Sequence, residues 1–147
     1  MSKPKVLDLF SGAGGFSLGF EMAGCEIIGA IEHDKWAADT FQYNHKGAKM
    51  LLGDIESFEN DYIKQEITAP DIIIGGPPCQ DFSIAGLRNL GERANLTIRY
   101  AEIVTKVKPK WFVMENVYNI VKMPILPKAI EIFKMSEYGL TYRIFDA

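Results

Sequence analysis

The chain has 147 residues, of which 48% are hydrophobic and 24% charged, and its formal net charge is -3. This length and balance suit one globular domain with an ordinary core and exclude a disordered or low-complexity chain. The negative net charge argues against nucleic-acid binding over the whole surface. Two cysteines are too few for a disulfide framework or a zinc site. No apolar stretch approaches the roughly 20 residues that cross a bilayer. We therefore expect one cytoplasmic domain over residues 1–147, with no membrane segment and no metal.

Six apolar runs in chain order predict strands: KVLDLF, CEIIGAIE, KMLLGDI, DIIIGG, WFVMEN and LTYRIFD. The runs are apolar nearly throughout, which is typical of parallel strands covered on both faces. Helical patterns lie between them at residues 14–23, 35–44, 96–107 and 126–138. The alternation predicts an α/β fold with a doubly wound, mainly parallel sheet. Residues 77 to about 93 show no period and are predicted to form a long functional or mobile loop.

A glycine-rich segment, FSGAGGFSLG, follows the first strand and opens the first helix. In this context glycines let the backbone approach a nucleoside cofactor, and the helix N-terminus favours an anionic group. The alternative is a tight strand-to-helix turn without a ligand. Glu32 lies 20 residues after Gly12, at the end of the second strand. A carboxylate there can accept both ribose hydroxyls, which favours the nucleoside interpretation.

Two aspartates at strand ends extend this interpretation. Asp8 beside the glycine loop would repel a pyrophosphate but attract an ammonium or sulfonium group, so S-adenosylmethionine fits better than NAD. The alternative is that Asp8 only caps the turn. Asp54, in LLGDI, could accept a hydrogen bond from an adenine amino group, and its alternative role is a helix cap.

Cys79, in GGPPCQDFS, follows Pro77 and Pro78, which fix two backbone angles ahead of it. A thiol held at a strand end can be a nucleophile, whereas Cys25, among apolar residues of the second strand, is interpreted as an inert small hydrophobe. Glu115 ends the fifth strand, which in the usual order adjoins the fourth, so it is expected near Cys79 as an acid. The alternative for Glu115 is an ion pair with an Arg or Lys.

The motifs DLFSGAGG, a strand-end acid, GDI, GGPPCQDFS and MENV occur in this order along the whole chain. They resemble those of the DNA (cytosine-5)-methyltransferases, in particular the bacterial restriction-modification type. The resemblance implies a Rossmann-like fold of the S-adenosylmethionine-dependent methyltransferases. It implies that Cys79 adds to C6 of a flipped cytosine and that Glu115 hydrogen-bonds or protonates N3. C5 then takes the methyl group of S-adenosyl-L-methionine, and the C5 proton and Cys79 are eliminated.

The resemblance also implies roles for other residues. Phe10 would stack on the adenine, Glu32 would hold the ribose, and Asp54 would hold the adenine amino group. The other residues implied to contact the cofactor are Gly12, Gly14, Gly15, Ile55, Pro77 and Leu96. Those implied to contact the DNA substrate are Gln80, Ser83, Arg93, Asn116 and Val117. The sequence departs from the family's pattern in having His33 where a tryptophan often stacks on the adenine, and Arg93-Ala94-Asn95 where Arg-Gly is usual.

The sequence printed here ends at RIFDA, before the Gln-x-Arg-x-Arg segment and the target-recognition domain that the family would supply. We therefore expect an N-terminal catalytic half that acts on double-stranded DNA with a flipped cytosine but needs a further segment or a complementary subunit. It is also expected to be marginally stable or self-associating, because a sheet edge and apolar faces stay uncovered. The alternatives are a non-catalytic cofactor-binding fragment and an RNA cytosine-5 methyltransferase, with an NAD-dependent dehydrogenase more distant.

Overall fold

The fold contains a single parallel sheet. The computed structural model describes residues 2–78 and 90–145, except for the side chains of residues 90–95. Its five strands are β1 (Lys5–Leu9), β2 (Glu26–Glu32), β3 (Lys49–Leu52), β4 (Ile72–Gly75) and β5 (Trp111–Met114). They lie in the order β3-β2-β1-β4-β5, and every neighbouring pair is parallel. The first five predicted strands and the parallel sheet are therefore confirmed.

The described part of the chain has five α-helices: α1 (Gly15–Met22), α2 (Lys35–Asn44), α3 (Asn60–Glu66), α4 (Leu90–Val107) and α5 (Ile125–Met135). Within residues 2–78 and 90–145, two 3₁₀ helices span Ile55–Ser57 and Tyr118–Lys122. The sequence predicted α1, α2 and α5 closely, but it missed α3, whose 7 residues are too few for a clear apolar period. Helix α4 begins at Leu90 instead of residue 96, so the predicted loop is wrong for residues 90–93. The rest of that prediction, residues 79–89, lies outside the described residues.

The predicted sixth strand, LTYRIFD, is wrong for residues 140–145, which form no strand. Leu140 packs against the core, but the other large apolar side chains are exposed instead of buried between sheet and helix: Tyr142 is 81% exposed, Ile144 62% and Phe145 85%. A strand-like apolar pattern forms a strand only where a neighbouring strand pairs with it and a helix covers it. Residues 141–145 form no strand, and their side chains are exposed.

Helices cover both faces of the sheet, which confirms the doubly wound arrangement. On β1, Val6 packs with Phe41 of α2 on one face, while Leu7 packs with Tyr100 of α4 on the other. This alternation follows from the two-residue period of a strand. The second face also buries Phe133 of α5, so α3, α4 and α5 share it.

An aromatic group joins α4 and α5 to the edge strand β5. The rings of Phe112 and Phe133 stack with centroids 4.3 Å apart, and Tyr100 meets both rings edge-on. The buried Tyr100 hydroxyl lies 3.1 Å from the Val113 carbonyl oxygen and 3.4 Å from that of Ile73. Burial raises the pKa of Tyr100 well above its ordinary value, so the hydroxyl stays protonated and donates to these carbonyls.

The strand register brings the polar strand ends to one edge. Leu9 of β1 pairs with both Ile31 of β2 and Gly75 of β4. Glu32 pairs with Leu52 of β3, and Gly75 pairs with Met114 of β5. The residues that follow these pairs therefore meet at the carboxyl edge of the sheet, where parallel sheets bind ligands.

Within the described residues, no helix is both long and apolar enough to cross a membrane. The same part of the chain contains no group of three or more His, Cys, Asp or Glu side chains placed to hold a metal ion.

Candidate cofactor and catalytic site

An open cavity of about 690 Å³ lies at the carboxyl edge of the sheet. Its walls come from the ends of β1, β2, β3 and β4 and from α4. The lining residues are Phe10, Ile31, Glu32, His33, Gly53, Asp54, Ile55, Glu56, Gly76, Pro78 and Leu96. Five of the predicted cofactor residues are thus brought together, namely Phe10, Glu32, Asp54, Ile55 and Leu96.

Phe10 directly follows β1 with a φ of 61°, the left-handed region that bulky residues rarely occupy. Such strain persists only where the surrounding structure holds it, and it clusters at ligand sites. The next residue, Ser11, donates its backbone N–H to the Ile31 carbonyl at 3.2 Å, which keeps the chain close to β2. The aromatic ring is thereby held at the cavity while it also packs against the core.

Glu32 is only 7% exposed, and its carboxylate accepts three backbone N–H groups. Gly12 donates to Oε2, while His33 and Asp34 donate to Oε1, each at 2.8 Å. The exposed His33 ring also places Nδ1 2.9 Å from Oε1. A carboxylate offers about four lone-pair positions, so Oε2 keeps one open for a ligand hydroxyl. The sequence predicted a ligand role for Glu32 but missed its second role of joining the glycine loop to β2.

Gly14 caps the start of α1, and Gly15 is the first residue of that helix. Gly14 has a φ of +95°, and a Cβ there would lie 2.4 Å from Nε2 of His45. That nitrogen is 3.2 Å from the Gly14 carbonyl oxygen, and Nδ1 is 3.0 Å from Oε2 of Glu21 without hydrogen-bond alignment. The buried His45 ring therefore packs against the backbone of the glycine loop at Gly14. Sequence reasoning missed this contact, although the four-residue spacing of Phe41 and His45 places both on one face of α2.

Asp8 is almost fully buried beneath the same loop. Its Oδ2 accepts the Ser17 hydroxyl at 2.7 Å, in the first turn of α1, so the capping alternative agrees with its contacts. Its Oδ1 has no hydrogen-bond partner in the described part of the chain. Burial raises the pKa of Asp8 from 3.8 to about 7, against the lowering effects of the Ser17 hydrogen bond and of nearby His45. The residue does not line the cavity, and its attraction for a cationic ligand stays a prediction.

Asp54 both lines the cavity and caps the 3₁₀ helix, since Oδ1 accepts the Glu56 N–H at 3.0 Å. Its backbone carbonyl accepts the N–H and the hydroxyl of Ser57. The helix-cap alternative is therefore correct for one carboxylate oxygen. The neighbouring Ile55 is buried and adds apolar surface to the same wall.

The ends of β4 and β5 adjoin, as predicted. The Glu115 N–H donates to the Gly75 carbonyl at 3.0 Å, and Oε2 of Glu115 lies 3.1 Å from where a Cβ on Gly76 would stand. The Glu115 side chain is exposed, and among the described residues it has no ion pair, so the alternative of an Arg or Lys partner finds no support. Glycine at position 76 leaves room for this carboxylate beside the segment that leads to Cys79.

Asn116 connects the two strand ends directly. Its Nδ2 donates to the Pro77 carbonyl at 2.7 Å, and its Oδ1 accepts the Val117 N–H at 2.9 Å. Pro77, predicted as a cofactor contact, is buried and does not line the cavity, where Pro78 lies instead.

Some of the predicted site residues lie outside the described part of the chain. These are Cys79, Gln80 and Ser83, together with the side chain of Arg93, whose backbone belongs to α4.

A parallel, doubly wound sheet with a glycine loop after β1 and an acidic residue after β2 defines the class of α/β proteins that bind a nucleoside cofactor at the strand ends. Residues 4–147 match the family of C-5 cytosine-specific DNA methylases. The chain belongs to this family, and its fold is that of the S-adenosylmethionine-dependent methyltransferases.

Similar proteins agree with this assignment. The chain is 46% identical over 144 residues to the Type II methyltransferase M.HindV of Haemophilus influenzae, covering 97% of this chain and 47% of that protein. It is 42% identical over 146 residues to M.HgiDI of Herpetosiphon aurantiacus, covering 97% and 46%. The crystal structure of a prophage-encoded protein of E. coli, described as a DNA modification methyltransferase, superposes with a TM-score of 0.79 at 32% identity, covering 90% and 38%. The chain thus spans about half the length of these curated relatives.

Proposed function

We propose that this chain carries the S-adenosylmethionine site and the covalent catalytic group of a DNA (cytosine-5)-methyltransferase of a restriction-modification system. The observation that supports this most is the cavity at the carboxyl edge of the sheet. Phe10, Glu32 and Asp54 line it together, and the family assigns all three to the nucleoside part of the cofactor.

The lining residues fit the chemistry of that cofactor. Phe10, Ile55 and Leu96 offer apolar surface for an adenine ring, while Glu32 and Asp54 offer carboxylate oxygens for hydroxyl and amino groups. Glu32 has an open position on Oε2, whereas Oε1 already accepts the backbone N–H groups of His33 and Asp34. The unpartnered Oδ1 of Asp8, beneath the glycine loop, suits a site that receives a cationic ligand. The glycine loop, Gly12 to Gly15, completes the proposed contacts.

The proposed chemistry begins with the Cys79 thiolate, which forms a bond to C6 of the cytosine. Glu115 holds or protonates N3, so that electron density moves to C5. S-adenosylmethionine, when bound, supplies the methyl group that C5 accepts. A proton then leaves C5 and the bond between C6 and Cys79 breaks, which restores the ring and frees the thiolate. The Asn116 to Pro77 hydrogen bond would fix the distance between Glu115 and the segment before Cys79.

The proposed substrate is double-stranded DNA with the target cytosine flipped out of the stack, since C5 and C6 are inaccessible within it. Gln80, Ser83, Arg93, Asn116 and Val117 are the proposed contacts to it. The relatives that share this activity are about twice as long, so we propose that methyl transfer also needs a complementary segment or subunit that carries target recognition. Because cellular DNA is the substrate, the proposal places the protein in the cytoplasm.

Cofactor binding by this chain gives the first test, with Asp54→Asn as the variant. Asparagine is an equally good cap, so the 3₁₀ helix should persist, but one carboxylate oxygen becomes an amide that repels an adenine amino group. Isothermal titration with S-adenosylmethionine should show about tenfold weaker binding, a change of about 1.4 kcal/mol. Asp61→Asn, an exposed change in α3, is the matched control. No binding by the unaltered chain would refute the cofactor assignment.

Methyl transfer gives the second test. The chain, combined with the segment or subunit that completes it, is incubated with tritiated S-adenosylmethionine and either DNA or tRNA. We expect label in DNA, with activity lost in Cys79→Ser and retained in Cys25→Ser. Label in tRNA alone would favour an RNA methyltransferase, and equal activity of Cys79→Ser would refute the covalent mechanism.

A further inference from the structure

Arg99 of α4 is a charged residue whose side chain is only 13% exposed and contacts two main-chain carbonyls besides one carboxylate. Its Nε donates to the Ile55 carbonyl at 3.3 Å, and its Nη2 donates to the Phe58 carbonyl. Glu102 lies on the outer side, with 3.5 Å between its Oε2 and Nη1. The planar guanidinium presents several donors in fixed directions. It therefore links the Ile55 and Phe58 carbonyls of one segment to a single position on α4.

The segment that Arg99 contacts, residues 53–58, packs Ile55 and Phe58 against the core and is hydrogen-bonded to the sheet at one end. There the Gly53 N–H donates to the Glu32 carbonyl at 2.9 Å. The bonds from Glu56 and Ser57 to Asp54 are internal, so they set the shape of the turn but not its position. At the far end, in the described part of the chain, the hydrogen bonds to another element are those from Arg99.

The segment and α4 form two walls of the same cavity. Gly53, Asp54, Ile55 and Glu56 line one wall, and Leu96 lines the other. Leu96 lies three residues before Arg99, on the same face of α4. The hydrogen bonds of Arg99 therefore join the wall that Asp54 and Ile55 line to the helix that carries Leu96.

We propose that Arg99 is a positioning residue of the cofactor site, because its hydrogen bonds to the Ile55 and Phe58 carbonyls hold the adenine-facing wall at a fixed distance from Leu96. The inference rests on the proposed function, since it concerns affinity for the nucleoside part of S-adenosylmethionine. Arg99 does not line the cavity, so its effect on the ligand acts through the wall that it holds.

Arg99→Met removes every donor but keeps an unbranched apolar stem of similar reach. Titrations with S-adenosylhomocysteine and with adenosine, at a temperature where the variant is folded by circular dichroism, should show about tenfold weaker binding of both ligands. The loss should be equal because both ligands carry the nucleoside. Arg99→Lys, which keeps one donor group, should recover part of the affinity, and Glu102→Gln, which alters the outer contact, should bind within twofold of the unaltered chain.

The measurements separate positioning from simple stabilisation. A residue that only stabilises the fold would lower the unfolding temperature and the fraction of competent protein, but folded Arg99→Met would bind with an unchanged dissociation constant, which would overturn the inference. If Arg99→Met does not fold, an unchanged dissociation constant for Arg99→Lys overturns it equally. Failure of the unaltered chain to bind either ligand would refute the proposed cofactor site, and the inference with it.

Discussion

Replacing Asp8 by asparagine tests the electrostatics beneath the glycine loop. The carboxylate is buried, one oxygen accepts the Ser17 hydroxyl, and the other has no partner among the described residues. Burial raises its pKa from 3.8 to about 7. One pKa unit corresponds to about 1.4 kcal/mol, so the ionised form costs the folded state about 4 kcal/mol, an order-of-magnitude figure.

The direction of the pH dependence follows from which state holds the proton. Between about pH 4 and pH 7 the unfolded chain has released the Asp8 proton while the folded chain keeps it. The free energy of unfolding of the unaltered chain therefore falls as the pH rises through this window and levels off above it. Asparagine has a similar shape and does not titrate, so Asp8→Asn should not show this fall.

The assay is urea unfolding of both proteins at half-unit steps from about pH 5 to pH 8.5, followed by circular dichroism. The difference between variant and unaltered chain should grow with pH by about 2–3 kcal/mol, since part of the rise lies below the first point. Ser17→Ala removes a hydrogen bond that lowers the pKa of Asp8, so it should extend the fall to higher pH. A pH-independent difference between Asp8→Asn and the unaltered chain would refute the reasoning.

Two further changes test packing. Gly14→Ala would place a Cβ 2.4 Å from the His45 ring at a φ of +95°. The free energy of unfolding should therefore fall by about 1–3 kcal/mol, and the protein should melt several degrees lower. Gly19→Ala in α1, where a Cβ meets nothing within 4 Å, should not lower the melting temperature. Tyr100→Phe removes the buried hydroxyl that bonds the β4 and β5 carbonyls and should cost about 1–2 kcal/mol in urea unfolding; the same change at Tyr142, which is 81% exposed, should have no effect. Equal melting of Gly14→Ala and Gly19→Ala, or equal stability of the two tyrosine variants, would contradict these accounts.

The sequence predicted the sheet well because its central strands, β1, β2 and β4, are buried on both faces and therefore form continuous apolar runs in the sequence. Lys5 and Asp71 are 66 positions apart, and nothing in the sequence indicates their hydrogen bond directly. Parallel connections through helices nevertheless constrain the strand order strongly. LTYRIFD failed because apolar composition alone does not establish that a neighbouring strand is present to pair with it.

The cavity residues were predictable where chemistry and strand position coincide, as for Glu32 and Asp54. The contacts of these two side chains to backbone N–H groups were harder to predict, because such contacts depend on the path of the loops. Arg99 and His45 could not be found in the same way, since both act on main-chain carbonyls distant in sequence. No fixed spacing between residue types indicates contacts of this kind. Only the three-dimensional arrangement of the loops reveals them.

The central position of β1 has a consequence for how the protein folds during synthesis. Strands β1, β2 and β3 all lie within the first 52 residues, and they are neighbours in the sheet. Strand β4 joins the other side of β1 only after α3 has emerged, and β5 follows it. Pairing across such sequence separations is slow relative to local contacts. The half of the site that holds Glu32 can therefore assemble on the ribosome before the half that holds Glu115.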